Sequence, residues 1–131
     1  TDLSKDLIFL SGTFQGKVSK KDVIKKKITE MKNMKELTQP QRVKTGGSTF
    51  KNPITQTNKK VWELISESIN IKEANTKFGD ALISEKHCNF LVNKRKATPE
   101  DMKNLINFIK ESVYKKTGVK LELEIILTSS K

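Results

Sequence analysis

The sequence predicts a small α+β domain in which a mixed sheet packs against helices, with the element order β-α-loop-α-β-β-α-β. Two patterns lead to this prediction. Apolar residues recur at helical spacing in three segments, and β-branched and aromatic residues cluster in short runs between them. At 131 residues, the chain is long enough for one domain or for part of a larger enzyme.

The first predicted element is a strand over residues 7–14, where leucine, isoleucine, phenylalanine and threonine are concentrated. A helix should follow, with Ser19 as its candidate N-cap, because a serine hydroxyl can accept a hydrogen bond from the first turn. The helix should end before Pro40, since the residue before a proline avoids helical geometry. Its apolar face is predicted to consist of Ile24, Ile28 and Met31.

The middle of the chain is predicted to be a long loop followed by a short helix. Residues 38–57 contain two prolines and two adjacent glycines, which favour turns. A loop of this length is usually functional or disordered, and its Ser, Thr, Lys and Asn content favours function. The helix should cover residues 58–69, and residues 70–80 should form a polar turn. The apolar face of the helix is predicted to consist of Val61, Trp62, Ile65 and Ile69, with Trp62 in the core.

The second half of the chain is predicted to contain two short strands and one well-capped helix. The strands cover residues 81–83 and 88–92. Thr98 should cap the helix, with Pro99 at its first position and Asp101 completing a capping box. The buried face of this helix is predicted to consist of Met102, Leu105, Ile106, Ile109 and Val113.

The last predicted element is a strand over residues 119–127, after a helix-ending glycine at Gly118. Apolar and polar residues alternate along it, so one face should be buried. Glu122 and Glu124 lie on the other face. From alternation alone, the simplest interpretation of these carboxylates is a solvated sheet surface.

The net charge of +11 allows binding to nucleic acid or another polyanion. The lysines are spread along nearly the whole chain, and Arg42 and Arg95 are the only arginines. Arginine commonly carries base recognition, so a lysine-rich solvated surface is the favoured interpretation. A small basic nucleic-acid-binding module is kept as an alternative, with nucleic acid an unfavoured partner.

Cysteine content and hydropathy favour a cytoplasmic chain. Cys88 is the single cysteine, which excludes an internal disulfide and suits a reducing compartment. No apolar run approaches the roughly 20 residues that cross a bilayer, and no secretory signal is recognised at the N-terminus. The chain begins with Thr1, which suggests a processed or truncated product, or one half of a longer protein.

The octet GGSTFKNP, residues 46–53, is the most informative segment. Its two glycines allow a turn that leaves the hydroxyl of Ser48 clear of the main chain. Taken alone, GGS is a common turn with a satisfied hydroxyl. A serine paired with a carboxylate could also protonate a carbanion. No metal cluster is predicted, because His87 is the only histidine and cannot, with Cys88, supply enough ligands.

Four ordered motifs resemble the UDP-N-acetylenolpyruvoylglucosamine reductase family, in its C-terminal half. The first is Thr-Gln-Pro at residues 38–40, leading into GGSTFKNP. The second is WELI at residues 62–65, the third ISEKHCNFLVN at residues 83–93 followed by Ala-Thr, and the fourth GVKLELE at residues 118–124. Residues 1–40 resemble the end of the flavin-binding region, and residues 41–131 resemble the substrate-binding domain.

The resemblance implies specific roles. In this family, reduced FAD passes hydride to the enolpyruvyl double bond of UDP-N-acetylglucosamine enolpyruvate, and NADPH supplies the electrons. The resemblance assigns proton donation to Ser48 and assistance of the enol intermediate to Glu124. It assigns Asn52 and Lys51 to substrate binding. The product, UDP-N-acetylmuramate, serves peptidoglycan synthesis.

The chain also departs from the family pattern. The flavin-binding half is not in the sequence, so the chain is expected to be inactive alone. Whether that half is a separate flavin-binding partner chain is left open. Ile126 stands where the family usually has arginine, and glycines are replaced at residues 69–72 and at Asp80. Such replacements are expected to force side chains into positive φ or to shift the loop. An inactive remnant of the reductase is therefore a further alternative.

Overall fold

The computed structural model describes residues 7–128, and these residues form an α+β domain as predicted. It contains, in chain order, α1 (Lys21–Thr38), β1 (Lys44–Ser48), α2 (Val61–Ser68), α3 (Ile71–Ala74), β2 (Ala81–Ile83), β3 (Phe90–Asn93) and α4 (Pro99–Thr117). Among the described residues, no helix combines the length and the hydrophobicity needed to span a bilayer.

The three strands form one antiparallel sheet rather than the mixed sheet that was predicted. The strand order is β1-β3-β2, so β3 is central and bonds to both neighbours. The predicted strand over residues 81–83 is confirmed as β2. The next strand begins at Phe90, two residues later than predicted, because Cys88 and Asn89 form a turn.

Strand β1 lies within the segment that was predicted to be a loop, and that prediction is wrong for these residues. Its sequence, KTGGS, has little strand propensity of its own. Lys44 pairs with Asn93 and Thr45 pairs with Val92, so β1 exists because β3 offers it a hydrogen-bonding edge. The partner is almost 50 residues away in the sequence, which is why local composition did not reveal the strand.

Helices α2 and α4 pack on each other, and α4 also packs on β2. The predicted buried face of α4 is confirmed at four positions, and Met102 is half-buried. These four residues are Leu105, Ile106, Ile109 and Val113.

In α2 the buried side chains are Val61, Leu64 and Ile65. Trp62 is 44% exposed, so its predicted place in the core is wrong. Leu64 shares the buried stripe instead, because it follows Val61 by three residues.

The predicted ends of α4 are confirmed. The hydroxyl oxygen of Thr98 accepts from the Asp101 N–H at 3.1 Å, and the Asp101 carboxylate accepts from the Thr98 N–H at 2.8 Å. The two residues thus form a capping box. Gly118 has a φ of 74° and closes the helix in the left-handed conformation.

The chain divides into two units between residues 32 and 33. In the first unit, residues 7–20 have no regular structure, so the predicted strand over residues 7–14 is wrong. A strand needs a partner for its backbone groups, and none pairs with this segment among the described residues. Helix α1 is confirmed, although it begins at Lys21 and not directly after Ser19. None of its residues is buried, so its predicted apolar face is open to solvent.

The predicted final strand is reduced to one isolated bridge, between Phe50 and Leu123. Val119 and Leu121 are buried, as alternation predicted, and Glu122 and Glu124 are exposed. A ladder does not form because the partner segment is short. It reaches Pro53 three residues after Phe50, and proline cannot donate to a ladder.

The replaced glycines produce no positive φ among the described residues, where Arg42 is the single non-glycine residue with that geometry. Asn70 has a φ of −74° and caps α3 by accepting from the Glu73 N–H. The Asp80 carboxylate accepts from the Lys96 N–H at 3.1 Å. These side chains therefore supply hydrogen bonds that glycine could not.

Candidate active site

The octet begins in a β-bulge at the end of β1. Thr45 pairs with Val92 and Ser48 pairs with Phe90, so Gly46 and Gly47 together oppose one residue of β3. Gly47 has a φ of 85°, a conformation that side chains rarely adopt. The bulge therefore explains why the turn needs glycine directly before Ser48.

Two neighbouring segments hold the chain that follows Ser48. On one side, the Thr49 N–H donates to the backbone oxygen of Asn89 at 2.8 Å. On the other side, the Glu124 N–H donates to the Thr49 oxygen, and the Lys51 N–H donates to the Glu122 oxygen, both at 2.9 Å. Thr49 and the next residue, Phe50, are almost fully buried. The octet thus lies between β3 and the segment that carries Glu124.

Ser48 and Glu124 line the same depression, which also contains Gly46, Ile125 and Ile126. Ser48 is half-buried and Glu124 is exposed. The structure therefore brings together the two residues to which the resemblance assigned catalytic roles. Ile126 adds an apolar side chain to this depression.

Lys51 and Asn52 line a second depression, together with Lys120 and Glu122. The side-chain oxygen of Asn52 accepts from the Val61 N–H at 3.1 Å, at the first residue of α2. Asn52 thus satisfies one of the free N–H groups of that helix. Its side-chain NH2 donates to no protein group within residues 7–128, so it is available to a ligand. The four predicted site residues are divided between two depressions.

His87 and Cys88 take part in the turn before β3. The Nδ1 atom of His87 accepts from the Asn89 N–H at 3.3 Å, and its ring packs edge-on against Phe90 with ring centres 4.9 Å apart. Burial raises the pKa of the Cys88 thiol, which makes it a poor nucleophile at neutral pH. Within residues 7–128, no three His, Cys, Asp or Glu side chains are grouped as metal ligands.

Sequence reasoning missed two side chains that shape the site. The amide of Asn89 bonds to both backbone groups of Phe50, and the amide of Gln56 bonds to both backbone groups of Lys120. Asn89 lies within the motif at residues 83–93, but the sequence of that motif indicates no role for Asn89. An amide acts this way only when a distant backbone segment lies opposite it.

Fold and site together define an α+β domain in which a serine at a sheet edge and a glutamate of residues 119–127 line one depression. Residues 39–128 match the family described as "UDP-N-acetylenolpyruvoylglucosamine reductase, C-terminal domain". The chain belongs to this family.

Curated relatives carry the name UDP-N-acetylenolpyruvoylglucosamine reductase. The protein from Pelagibacter ubique (strain HTCC1062) is 55% identical over 124 residues, which are 95% of this chain and 40% of that protein. The protein from Rickettsia massiliae (strain Mtu5) is 38% identical over 124 residues, 95% of this chain and 40% of that protein. The protein from Beijerinckia indica subsp. indica is 40% identical over 120 residues, 92% of this chain and 37% of that protein. The chain thus spans about two fifths of the length of these relatives.

Proposed function

We propose that this chain is the substrate-binding and proton-donating part of an FAD- and NADPH-dependent reductase that converts UDP-N-acetylglucosamine enolpyruvate to UDP-N-acetylmuramate for peptidoglycan synthesis. Residues 41–131 act as the substrate-binding domain, and residues 1–40 belong to the end of a flavin-binding region. The observation that carries the proposal is the shared depression of Ser48 and Glu124.

In the proposed mechanism, the Ser48 hydroxyl gives its proton to the carbanion that hydride transfer leaves on the enolpyruvyl group. Glu124 stabilises the enol form of that intermediate. A donor already placed beside the reacting carbon needs little reorganisation during the step. The Lys51 ammonium and the Asn52 side-chain NH2 bind the nucleotide part of the substrate, since cationic and N–H donors suit a diphosphate.

We expect the site not to hold FAD by itself. The depression of Ser48 and Glu124 is open to solvent, and five residues line it. We expect that this open depression alone does not exclude water from a flavin, which hydride chemistry requires. FAD and NADPH therefore belong to another part of the reductase, either in the same polypeptide or in a partner chain. Without that part, the chain is expected to be inactive.

The test is an NMR titration of the chain with UDP-N-acetylglucosamine enolpyruvate, with short duplex DNA in moderate salt as the comparison ligand. Chemical-shift changes should cluster at Gly47, Ser48, Asn52 and Glu124. A folded spectrum without any response to the nucleotide sugar would contradict the proposal and favour an inactive remnant. A response to DNA alone would favour the basic nucleic-acid-binding module.

The role of Ser48 is tested separately, in the reductase completed with a flavin-binding part. Ser48→Ala should abolish turnover and leave substrate binding largely unchanged, because the hydroxyl is needed only for proton transfer. Ser66→Ala is the matched control, since Ser66 is an exposed serine of α2 whose hydroxyl donates to the Glu63 oxygen. Equal activity of Ser48→Ala and the wild type would remove Ser48 from the mechanism.

The cytoplasmic location of the protein stays a prediction.

A further inference from the structure

Within residues 7–128, asparagine and glutamine side chains replace the hydrogen bonds of a neighbouring strand at four places. In each, the amide accepts from the N–H of one residue and donates to the C=O of the same residue. The four pairs are Asn75 with Ile83, Asn89 with Phe50, Asn93 with Ala97, and Gln56 with Lys120. Of the four amide residues, Asn89 alone is buried, with 6% of its surface exposed.

Asn89 faces the segment that carries Ser48. Its side-chain oxygen accepts from the Phe50 N–H, and its side-chain NH2 donates to the Phe50 oxygen, both at 2.9 Å. Its own backbone oxygen accepts from the Thr49 N–H. Two consecutive residues after Ser48 are thus bonded to one asparagine.

The other side of the same segment faces Glu124. Phe50 pairs with Leu123, and hydrogen bonds from Lys51 and Glu124 lie on either side of this pair. Phe50 is 1% exposed, so its backbone groups cannot turn to water if Asn89 releases them. Burying a donor or acceptor without a partner is energetically unfavourable, which disfavours any other register.

We infer that Asn89 is a positioning residue that holds the segment carrying Ser48 in register against the segment carrying Glu124. The inference rests on the proposed function, because it concerns the same two side chains. Asn89 acts through Phe50 and does not line the depression of Ser48 and Glu124.

The test compares Asn89→Asp with the wild-type chain. Aspartate is nearly the same size, and its carboxylate still accepts from the Phe50 N–H but places a second acceptor against the Phe50 oxygen. Asn75→Asp is the matched control. This variant likewise replaces an amide by a carboxylate, here opposite the backbone groups of Ile83. Ile83 belongs to β2, which is the edge strand on the other side of the sheet from β1.

The first readout is the NOE between the Hα protons of Phe50 and Leu123. The two residues form an antiparallel pair without hydrogen bonds between them, whose Cα atoms lie about 4.5 Å apart with the Hα protons facing each other. Asn89→Asp should lose this NOE, and Asn75→Asp should keep it. A loss of overall stability without a change of register would not remove it.

The second readout is hydrogen exchange. In Asn89→Asp the amides of Lys51 and Glu124 should lose roughly tenfold or more of their protection, since their bonds depend on the same register. The amides of α4 should keep theirs. Asn89→Ala is measured in parallel, because it removes the amide without adding a charge and remains informative if Asn89→Asp does not fold.

The inference is overturned if both Asn89 variants keep the NOE and the amide protection. It is also overturned if both lose the protection of α4 to the same extent, because Asn89 would then serve only overall stability. In the titration with UDP-N-acetylglucosamine enolpyruvate, Asn89→Asp should keep the response of Asn52 and lose that of Glu124. A wild-type chain that does not respond to this ligand contradicts the proposed function, while the NOE still decides the role of Asn89.

Discussion

The backbone N–H of Glu124 donates to the backbone oxygen of Thr49 at 2.9 Å. This bond joins the residue that follows Ser48 to Glu124, the residue to which the resemblance assigns assistance of the enol intermediate. The two segments meet in a single bridge and not in a ladder. Their alignment therefore depends on a few individual hydrogen bonds and on the burial of Phe50.

Replacing Gly47 tests the bulge that presents Ser48. Gly47→Ala should reduce the free energy of unfolding by about 1 kcal/mol or more, because a side chain is strained at a φ of 85°. No atom lies within 4 Å of the added Cβ, so the loss comes from the backbone and not from a clash. Urea denaturation measures the change.

Gly46→Ala is the control for that experiment. Its added Cβ would lie 3.7 Å from the Cγ2 atom of Ile125, which is an ordinary contact, and Gly46 has no positive φ. It should therefore change the stability less than Gly47→Ala does. Equal losses in the two variants would argue against strain at the bulge.

Two substitutions in α2 test the corrected core. Ile65→Ala should lower the free energy of unfolding by about 2–5 kcal/mol, because Ile65 is fully buried and its removal leaves a cavity. Trp62→Ala should have a clearly smaller effect, since Trp62 is 44% exposed. Urea denaturation of both variants gives the comparison. A larger loss for Trp62→Ala would restore the original prediction that Trp62 belongs to the core.

The capping box of α4 should make stability depend on pH. Hydrogen bonds from Thr98 hold the pKa of the Asp101 carboxyl below its ordinary value. The Thr98 N–H has the larger effect and the Thr98 hydroxyl the smaller one. A carboxyl with a lowered pKa in the folded state stabilises the fold above its unfolded-state pKa, and this contribution is lost as the pH falls through the folded-state pKa. Asp101→Asn should therefore be less stable than wild type near neutral pH, and the difference should shrink in acid.

Urea denaturation across this pH range checks the prediction. Glu111→Gln is the control, because Glu111 is an exposed carboxylate in the middle of the same helix and has no hydrogen-bond or salt-bridge partner among the described residues. A stability difference between wild type and Asp101→Asn that stays constant from neutral pH into acid would contradict the role of the Asp101 charge.

Cys88 should react slowly in the folded chain. Its thiol is buried, and burial raises the pKa of that thiol, so little of the reactive thiolate is present at neutral pH. Alkylation by iodoacetamide, followed by mass spectrometry, should be at least roughly tenfold slower in the native chain than in urea. Equal rates would mean that the turn containing Cys88 opens readily, which would weaken the case for a fixed Asn89.

Local sequence predicted the elements whose determinants lie close together in the chain. Thr98, Pro99 and Asp101 occur within four residues and mark the start of α4 without reference to any other segment. Gly118 marks its end in the same way. The octet is equally local, so Ser48 could be singled out before its surroundings were known.

Elements that depend on a distant partner could not be predicted in this way. The strand-like residues 7–14 have no strand partner among residues 7–128, whereas the glycine-rich β1 is a strand because β3 lies beside it. The alternation of residues 119–125 predicted which side chains are buried but not that a single bridge would replace a strand. The hydrophobic pattern of a segment predicts which of its side chains can be buried. Whether the segment forms a strand depends on a partner segment that completes its backbone hydrogen bonds.

The sequence by itself determined the α+β class, the capped helix α4 and the motifs that contain Ser48, Asn52 and Glu124. The tertiary structure alone decided that Ser48 and Glu124 share one depression and that Asn89 bonds to the chain between Ser48 and Asn52. The physical reason is distance along the chain. Capping and helical periodicity act over a few residues, but the bonds that assemble the site join segments separated by tens of residues.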